Sequence, residues 1–213
     1  MTIYTRRVVN DKADEEAVAE NTNFLYLTCD LPPAPLFKNE MMENIIPQVC
    51  QCLNASARMT EKLNFLTMIV FSQVNLFTLL SKFNGVQEKE YNTYKDNFLK
   101  RFKITSLPPF LILYIRRFTK NTFFIEKNPT IVNFPVLSVD FGEAFGLGSV
   151  HYDLIANIVH EGQHKGGTWR MHLYHKANNT WYELQDLHVK EILPQMLTLT
   201  EPYIQIYQRQ DVK

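Results

Sequence analysis

Gly166-Gly167-Thr168-Trp169-Arg170-Met171-His172-Leu173-Tyr174, then Ala177-Asn178-Asn179, then Trp181-Tyr182-Glu183-Leu184-Gln185-Asp186, is the stretch that decides the fold. The two flanking runs alternate apolar and polar residues with a period of two, the spacing of a half-buried strand. The Ala-Asn-Asn between them is turn chemistry. The same pattern continues outward. Residues 152–159 and Tyr203-Ile204-Gln205-Ile206-Tyr207 read as further strands, as do residues 121–125 and 131–135. Turn signals fall at Lys127-Asn128-Pro129 and Glu161-Gly162. Pro108-Pro109 introduces Phe110-Leu111-Ile112-Leu113-Tyr114-Ile115, an apolar run typical of a buried strand, which ends at Arg116-Arg117-Phe118. Strands joined by hairpin-length links predict an antiparallel sheet.

The first half is more mixed. Residues 3–9 read as a strand, 11–20 as a solvated helix or loop, and 24–29 as a strand stopped by Asp30-Leu31-Pro32-Pro33. Leu36, Phe37, Met41, Met42, Ile45 and Ile46 suit an amphipathic helix ended by Pro47. Residues 76–83 read as a helix with Asn84-Gly85 as its terminator. Residues 87–102 place Tyr91, Tyr94, Phe98 and Phe102 near helical spacing, so an amphipathic helix is expected, with a strand as the alternative. Residues 191–196 form a short helix or turn. The fold class is α+β, mainly antiparallel sheet with helices in the N-terminal half.

Composition narrows the function classes. The chain has 213 residues and 46% hydrophobic content, enough for one domain with its own core. Lys+Arg and Asp+Glu are both 22, so no global field favours nucleic acid, and no direct nucleic-acid site is evident. Cys29, Cys50 and Cys52 are too few for a disulfide framework or a four-ligand zinc site, so neither metal nor cofactor is expected. Residues 63–81 carry no charge, but Asn64, Thr67, Ser72, Gln73, Asn75, Thr78 and Ser81 interrupt them. A buried helix is expected there rather than a membrane span.

These motifs together resemble the ubiquitin-specific proteases. Residues 107–118 resemble the family strand that ends in a basic residue and Arg-Phe. Residues 152–162 resemble the strand ending in His-x-Gly, and 181–186 and 203–207 the closing strands. The resemblance implies an incomplete papain-like cysteine protease fold made of the fingers and palm regions. Its family-motif residues are Arg117, Phe118, Tyr152, His160, Gly162, Gly167, Trp169, Trp181 and Tyr203. Residues 1–213 then form a single partial domain. The family's zinc-finger module and cysteine-box half are expected to be absent, and residues 50–74 to be an insertion or an unspliced segment.

In that family a histidine takes the proton from a cysteine thiol, and an Asp or Asn orients the histidine. Here Thr168 stands in place of the histidine, and Asp186 is the residual acidic member. A threonine hydroxyl accepts no proton at neutral pH. His160 aligns with a noncatalytic family histidine. His172 and His164 are off register for the triad and are expected to be a strand side chain and a loop residue. Arg116 and Arg117 are expected to reach solvent at a strand end. The resemblance narrows to the catalytically inactive, spliceosomal branch of the family. That branch implies nuclear localisation, tri-snRNP proteins as partners and, weakly, ubiquitin or a ubiquitin-like protein. The competing expectation is a fragment of an active deubiquitinating protease.

Overall fold

Among the described residues alternating patterns build four sheets, two of them of two strands each, and the two larger ones meet at a corner where Asp30 contacts Lys89. The computed structural model describes residues 1–9, 12–13, 16–33, 73–94, 96–120, 125–163 and 165–211. In chain order the strands begin with β1 (Thr2–Val9), β2 (Lys12–Ala13), β3 (Val18–Asn21), β4 (Leu27–Asp30) and β5 (Gln73–Asn75). Helix α1 (Leu76–Leu80) and a 3-10 turn (Ser81–Phe83) precede β6 (Asn84–Asn92), β7 (Asn97–Lys103), β8 (Phe110–Arg116), β9 (Phe118–Lys120), β10 (Ile125–Lys127), β11 (Ile131–Asn133) and β12 (Val139–Asp140). Helix α2 (Phe141–Phe145) leads to β13 (His151–Gln163), β14 (Gly166–His175), β15 (Thr180–Gln185), β16 (His188–Ile192), α3 (Pro194–Leu197) and β17 (Pro202–Arg209).

The larger sheet has eight strands in the order β16-β15-β14-β13-β17-β8-β4, with β12 against β13. All its pairings are antiparallel except β4 with β8. The smaller sheet runs β2-β1-β7-β6, with β3 also on β1. The apolar run of β8 resolves into two faces. Leu111, Leu113 and Ile115 are fully buried, whereas Ile112 and Tyr114 on the other face are half-buried.

The core lies on the Leu111–Leu113–Ile115 face, and Phe141 is at its centre. Its ring centroid is 4.9 Å from Tyr207, 5.5 Å from Tyr152, 6.1 Å from Phe77 and 6.5 Å from Phe145. Asp140 caps α2. Its carboxylate accepts from Glu143 N and Val150 N at 3.0 Å and from Ser149 Oγ at 2.6 Å, which pulls its pKa down to about 2.

Several expectations need correction. Residues 87–102 form the β6–β7 hairpin, not a helix: Tyr91 sits directly opposite Phe98, and β7 pairs along its length with β1. Tertiary pairing overrides the local 3.6-residue spacing of the aromatics. Residues 12–13 and 18–21 are strands because β1 offers them an edge. Among the described residues of the span 63–81, residues 73–75 are a strand on β11 and 76–80 are α-helical, with Asn75 as the N-cap. Glu161-Gly162 is not the turn. β13 runs on to Gln163, and Gly162 takes φ +103° within it. The strand expected at 121–125 is described only from Ile125, in β10. The helix expected over 36–46, Cys50, Cys52, residues 50–72 and His164 lie outside the described residues. Among those described, the helices are short, and no helix is long and apolar enough to cross a membrane.

Candidate functional site

β13 and β14 hold most of the motif residues in register. His160 lies opposite Trp169, Glu161 opposite Thr168, and Gly162 opposite Gly167. Directly opposite residues share a face and successive ones alternate. Thr168 therefore points to one side of the sheet and Trp169 to the other.

On Trp169's side, four rings gather. The His160 centroid is 4.6 Å from Trp169, 5.7 Å from Tyr203 and 5.8 Å from Phe118. Gly167 lies against this imidazole: a Cβ there would come within 2.5 Å of His160 Nε2 and 2.2 Å of Glu161 O. The glycine is required by close approach, and this packing ties Gly167 to the histidine that sits opposite its neighbour Trp169.

Arg117 anchors the same cluster from inside, which corrects the expectation that it reaches solvent. It is 0% exposed. Its Nε donates to Pro202 O at 2.8 Å, and its Nη1 donates to Asn128 O at 3.0 Å and Thr130 O at 2.7 Å. Three carbonyls, one at the start of β17 and two in the 128–130 segment, are satisfied by one guanidinium fork. Arg116, one residue earlier, does reach solvent. The sequence reading missed the difference because it treated the strand end as a free terminus.

On Thr168's side lies a chain of polar groups. Arg170 is paired with Glu161 and with Glu183, the latter at 3.4 Å. His172 Nε2 donates to Glu183 Oε2 at 3.2 Å, and Asn157 Nδ2 donates to His172 Nδ1 at 3.3 Å and to Thr200 Oγ1 at 3.2 Å. An acceptor at Nε2 and a donor at Nδ1 fix the neutral Nε2–H tautomer. Burial pushes His172 below the ordinary imidazole value, against the pull of Glu183. His160 is pushed down as well, by burial first and then by Lys127. An imidazole lowered in this way stabilises the fold in its neutral form. That contribution is complete above the unfolded value near about 6.5 and is lost as pH falls from there through the lower folded value. The melting temperature should therefore drop between about pH 7.5 and about pH 5. His172→Gln should flatten part of that slope and leave the part due to His160. An unchanged slope in the variant, measured by thermal denaturation across the series, would contradict the assignment.

Not all motif residues come together. Tyr152 belongs to the core and donates from its hydroxyl to Pro108 O. Trp181 is buried against Tyr174 at 5.3 Å. Asp186 is an exposed residue of the β15–β16 turn with φ +51°, a conformation Asp tolerates. The β14–β15 ladder ends at Met171–Leu184, so no strand pairing links Thr168 to Asp186. Gln185, not Asp186, is the β15 residue that shares Thr168's face. Nor does Cys29 supply a nucleophile: it is 0% exposed, and burial pushes its thiol up to about 12. A cleft of about 240 Å³ beside His160 is bridged by Lys127, whose Nζ donates to His160 O and pairs with Glu201 Oε2, both at 2.7 Å. That volume is below the roughly 300 Å³ at which small-molecule sites begin.

The strand arrangement and the motif residues it carries are those of the ubiquitin hydrolase fold. The chain belongs to the ubiquitin carboxyl-terminal hydrolase family, whose model matches residues 13–207. It is 52% identical over 92% of its length to ubiquitin carboxyl-terminal hydrolase 39 of Homo sapiens, and the match covers 31% of that protein. It is 35% identical over 87% of its length to the probable mRNA-splicing protein ubp10 of Schizosaccharomyces pombe, covering 34% of it. The crystal structure of an essential yeast splicing factor has the same fold, with a TM-score of 0.58 at 21% identity; the match covers 99% of this chain and 42% of that one. The chain thus spans about a third of the length of the curated relatives it matches.

Proposed function

We propose that this chain is a noncatalytic, ubiquitin-specific-protease-like scaffold that serves pre-mRNA splicing in the nucleus by binding tri-snRNP proteins. The observation that carries this reading is Thr168. It occupies the strand position of the family's general base, on the face away from His160, and has no imidazole opposite it. Asp186 is then a residual acidic member that serves its turn. Neither His160 nor His172 replaces the base: His160 is locked among rings, and His172 is committed to Glu183 and Asn157. A relative supports the splicing half of the proposal, since it is a probable mRNA-splicing protein. Ubiquitin or a ubiquitin-like protein remains a weak ligand in this reading, held without turnover. Affinity purification of the tagged protein from nuclear extract tests the scaffold role. Tri-snRNP proteins should be recovered in stoichiometric amount at moderate salt; their absence from a preparation that retains the tagged, folded protein would contradict it.

A further inference from the structure

Net neutrality hides a segregation of charge at the corner where the two sheets meet. Asp30, at the end of β4, is contacted by Lys82 Nζ at 2.9 Å, Lys89 Nζ at 2.8 Å and Arg116 Nε at 3.6 Å. Lys100 sits directly opposite Lys89 on the β6–β7 ladder, and its ammonium lies 5.6 Å from the centroid of Tyr91. Lys89 approaches the same ring at 6.0 Å. Lys100 has no carboxylate partner among the described residues. One carboxylate therefore faces four cations, and the corner carries a local excess of three positive charges. Two like charges directly across a ladder repel, so the Lys89–Lys100 pair is a feature that folding alone disfavours.

The corner is open. The Lys89 and Arg116 side chains are 47% and 58% exposed. It is also lined with rings. Tyr114 shares a face of β8 with Arg116, and Tyr26 stands edge-on to it at 6.1 Å with half its surface in solvent. Clustered cations with an exposed planar ring beside them suit a single-stranded nucleic acid, with phosphates on the cations and a base on the ring. An acidic peptide would use the cations but gain nothing specific from an exposed tyrosine.

We propose that this corner binds single-stranded RNA, with Lys82, Lys89, Lys100 and Arg116 holding the phosphates and Tyr26 stacking a base. Asp30 is the competing internal anion and sets the affinity. The site is separate from the degenerate triad and does not depend on the scaffold reading, because the purified chain alone should bind.

Fluorescence anisotropy with a short labelled oligouridylate tests it on the full chain. Single strands lose affinity with a slope of about −0.7 per phosphate contacted, so three net contacts give a slope near −2, or about a 20-fold loss between about 50 and 200 mM salt. Lys89→Gln with Lys100→Gln should weaken binding at least tenfold at low salt and reduce the slope to less than half. Tyr26→Ala should weaken binding without changing the slope. Asp30→Asn should bind more tightly. Lys120→Gln, away from the corner, should match the parent. Melting curves check that each variant folds; Arg116→Gln, at a solvent-exposed side chain, replaces any that does not. The proposal is overturned if the parent does not bind at about 50 mM salt, if Lys120→Gln weakens binding as much as the corner variants, or if Asp30→Asn binds less tightly while still folded. It is equally overturned if oligoglutamate binds through the same lysines while the RNA does not, which would make the corner a surface for an acidic protein.

Discussion

Arg117→Met should cost about 3–5 kcal/mol of folding stability, more than any surface change in this chain. The guanidinium is fully buried and donates to Pro202 O, Asn128 O and Thr130 O. Methionine keeps most of the side-chain length but none of the donors. Three carbonyls are then left in a site that water does not reach. Hydrogen bonds to charged groups contribute roughly 1.5–3 kcal/mol each, and an orphaned buried acceptor costs about 1–3 kcal/mol. Relief of the guanidinium's desolvation offsets part of the sum, which brings the net below the simple total. Arg117→Lys should fall between the two, because an ammonium lacks the planar fork that serves β17 and the 128–130 segment together. Urea unfolding reads this directly: with a slope of about 2 kcal/mol/M, the midpoint should shift by roughly 2 M. A loss below about 1 kcal/mol would mean that the carbonyls find other partners.

Phe141→Ala should cost about 3–5 kcal/mol by a different route. Phe141 is 0% exposed and is met by four rings, from α1, α2, β13 and β17. Truncation removes the transfer energy of the ring and leaves a cavity between elements pinned by strand pairing, so collapse is incomplete. Phe141→Leu keeps most of the volume and should cost about 1.5 kcal/mol or less. The same unfolding curves compare the two. Equal losses for Ala and Leu would contradict the cavity account and point instead to the ring geometry.

Both positions mark the limit of what the sequence made legible. The strands of the larger sheet could be read because their period of two is strict where one face packs on a core, as in β17. Gly167 and His160 could be read as motif residues, but the cause was visible only in register: His160 lies opposite Trp169, and its ring occupies the space a side chain at Gly167 would need. Arg117 looked like Arg116. Nothing in the local sequence distinguishes a guanidinium that reaches solvent from one that turns inward to carbonyls far along the chain. The β6–β7 hairpin was misread because Tyr91, Phe98 and Phe102 are spaced for a helix by coincidence. Their rings meet across a ladder, with Tyr91 and Phe102 at 6.1 Å. The partner that enforces it, β1, lies at the other end of the described chain. His172 was read as a strand side chain, and β14 carries it, but its pairing with Glu183 required knowledge of which residues face each other across β14 and β15.

The account rests on Thr168 having no substitute. The most direct measurement is reaction of the purified protein with ubiquitin carrying a thiol-reactive group at its C-terminus, beside a catalytically active member of the same family. Loss of a triad member removes roughly four to six orders of magnitude of rate. We expect the active relative to be captured fully while this protein forms no covalent adduct. A thiol-linked ubiquitin adduct that maps to one of its cysteines would contradict the noncatalytic reading.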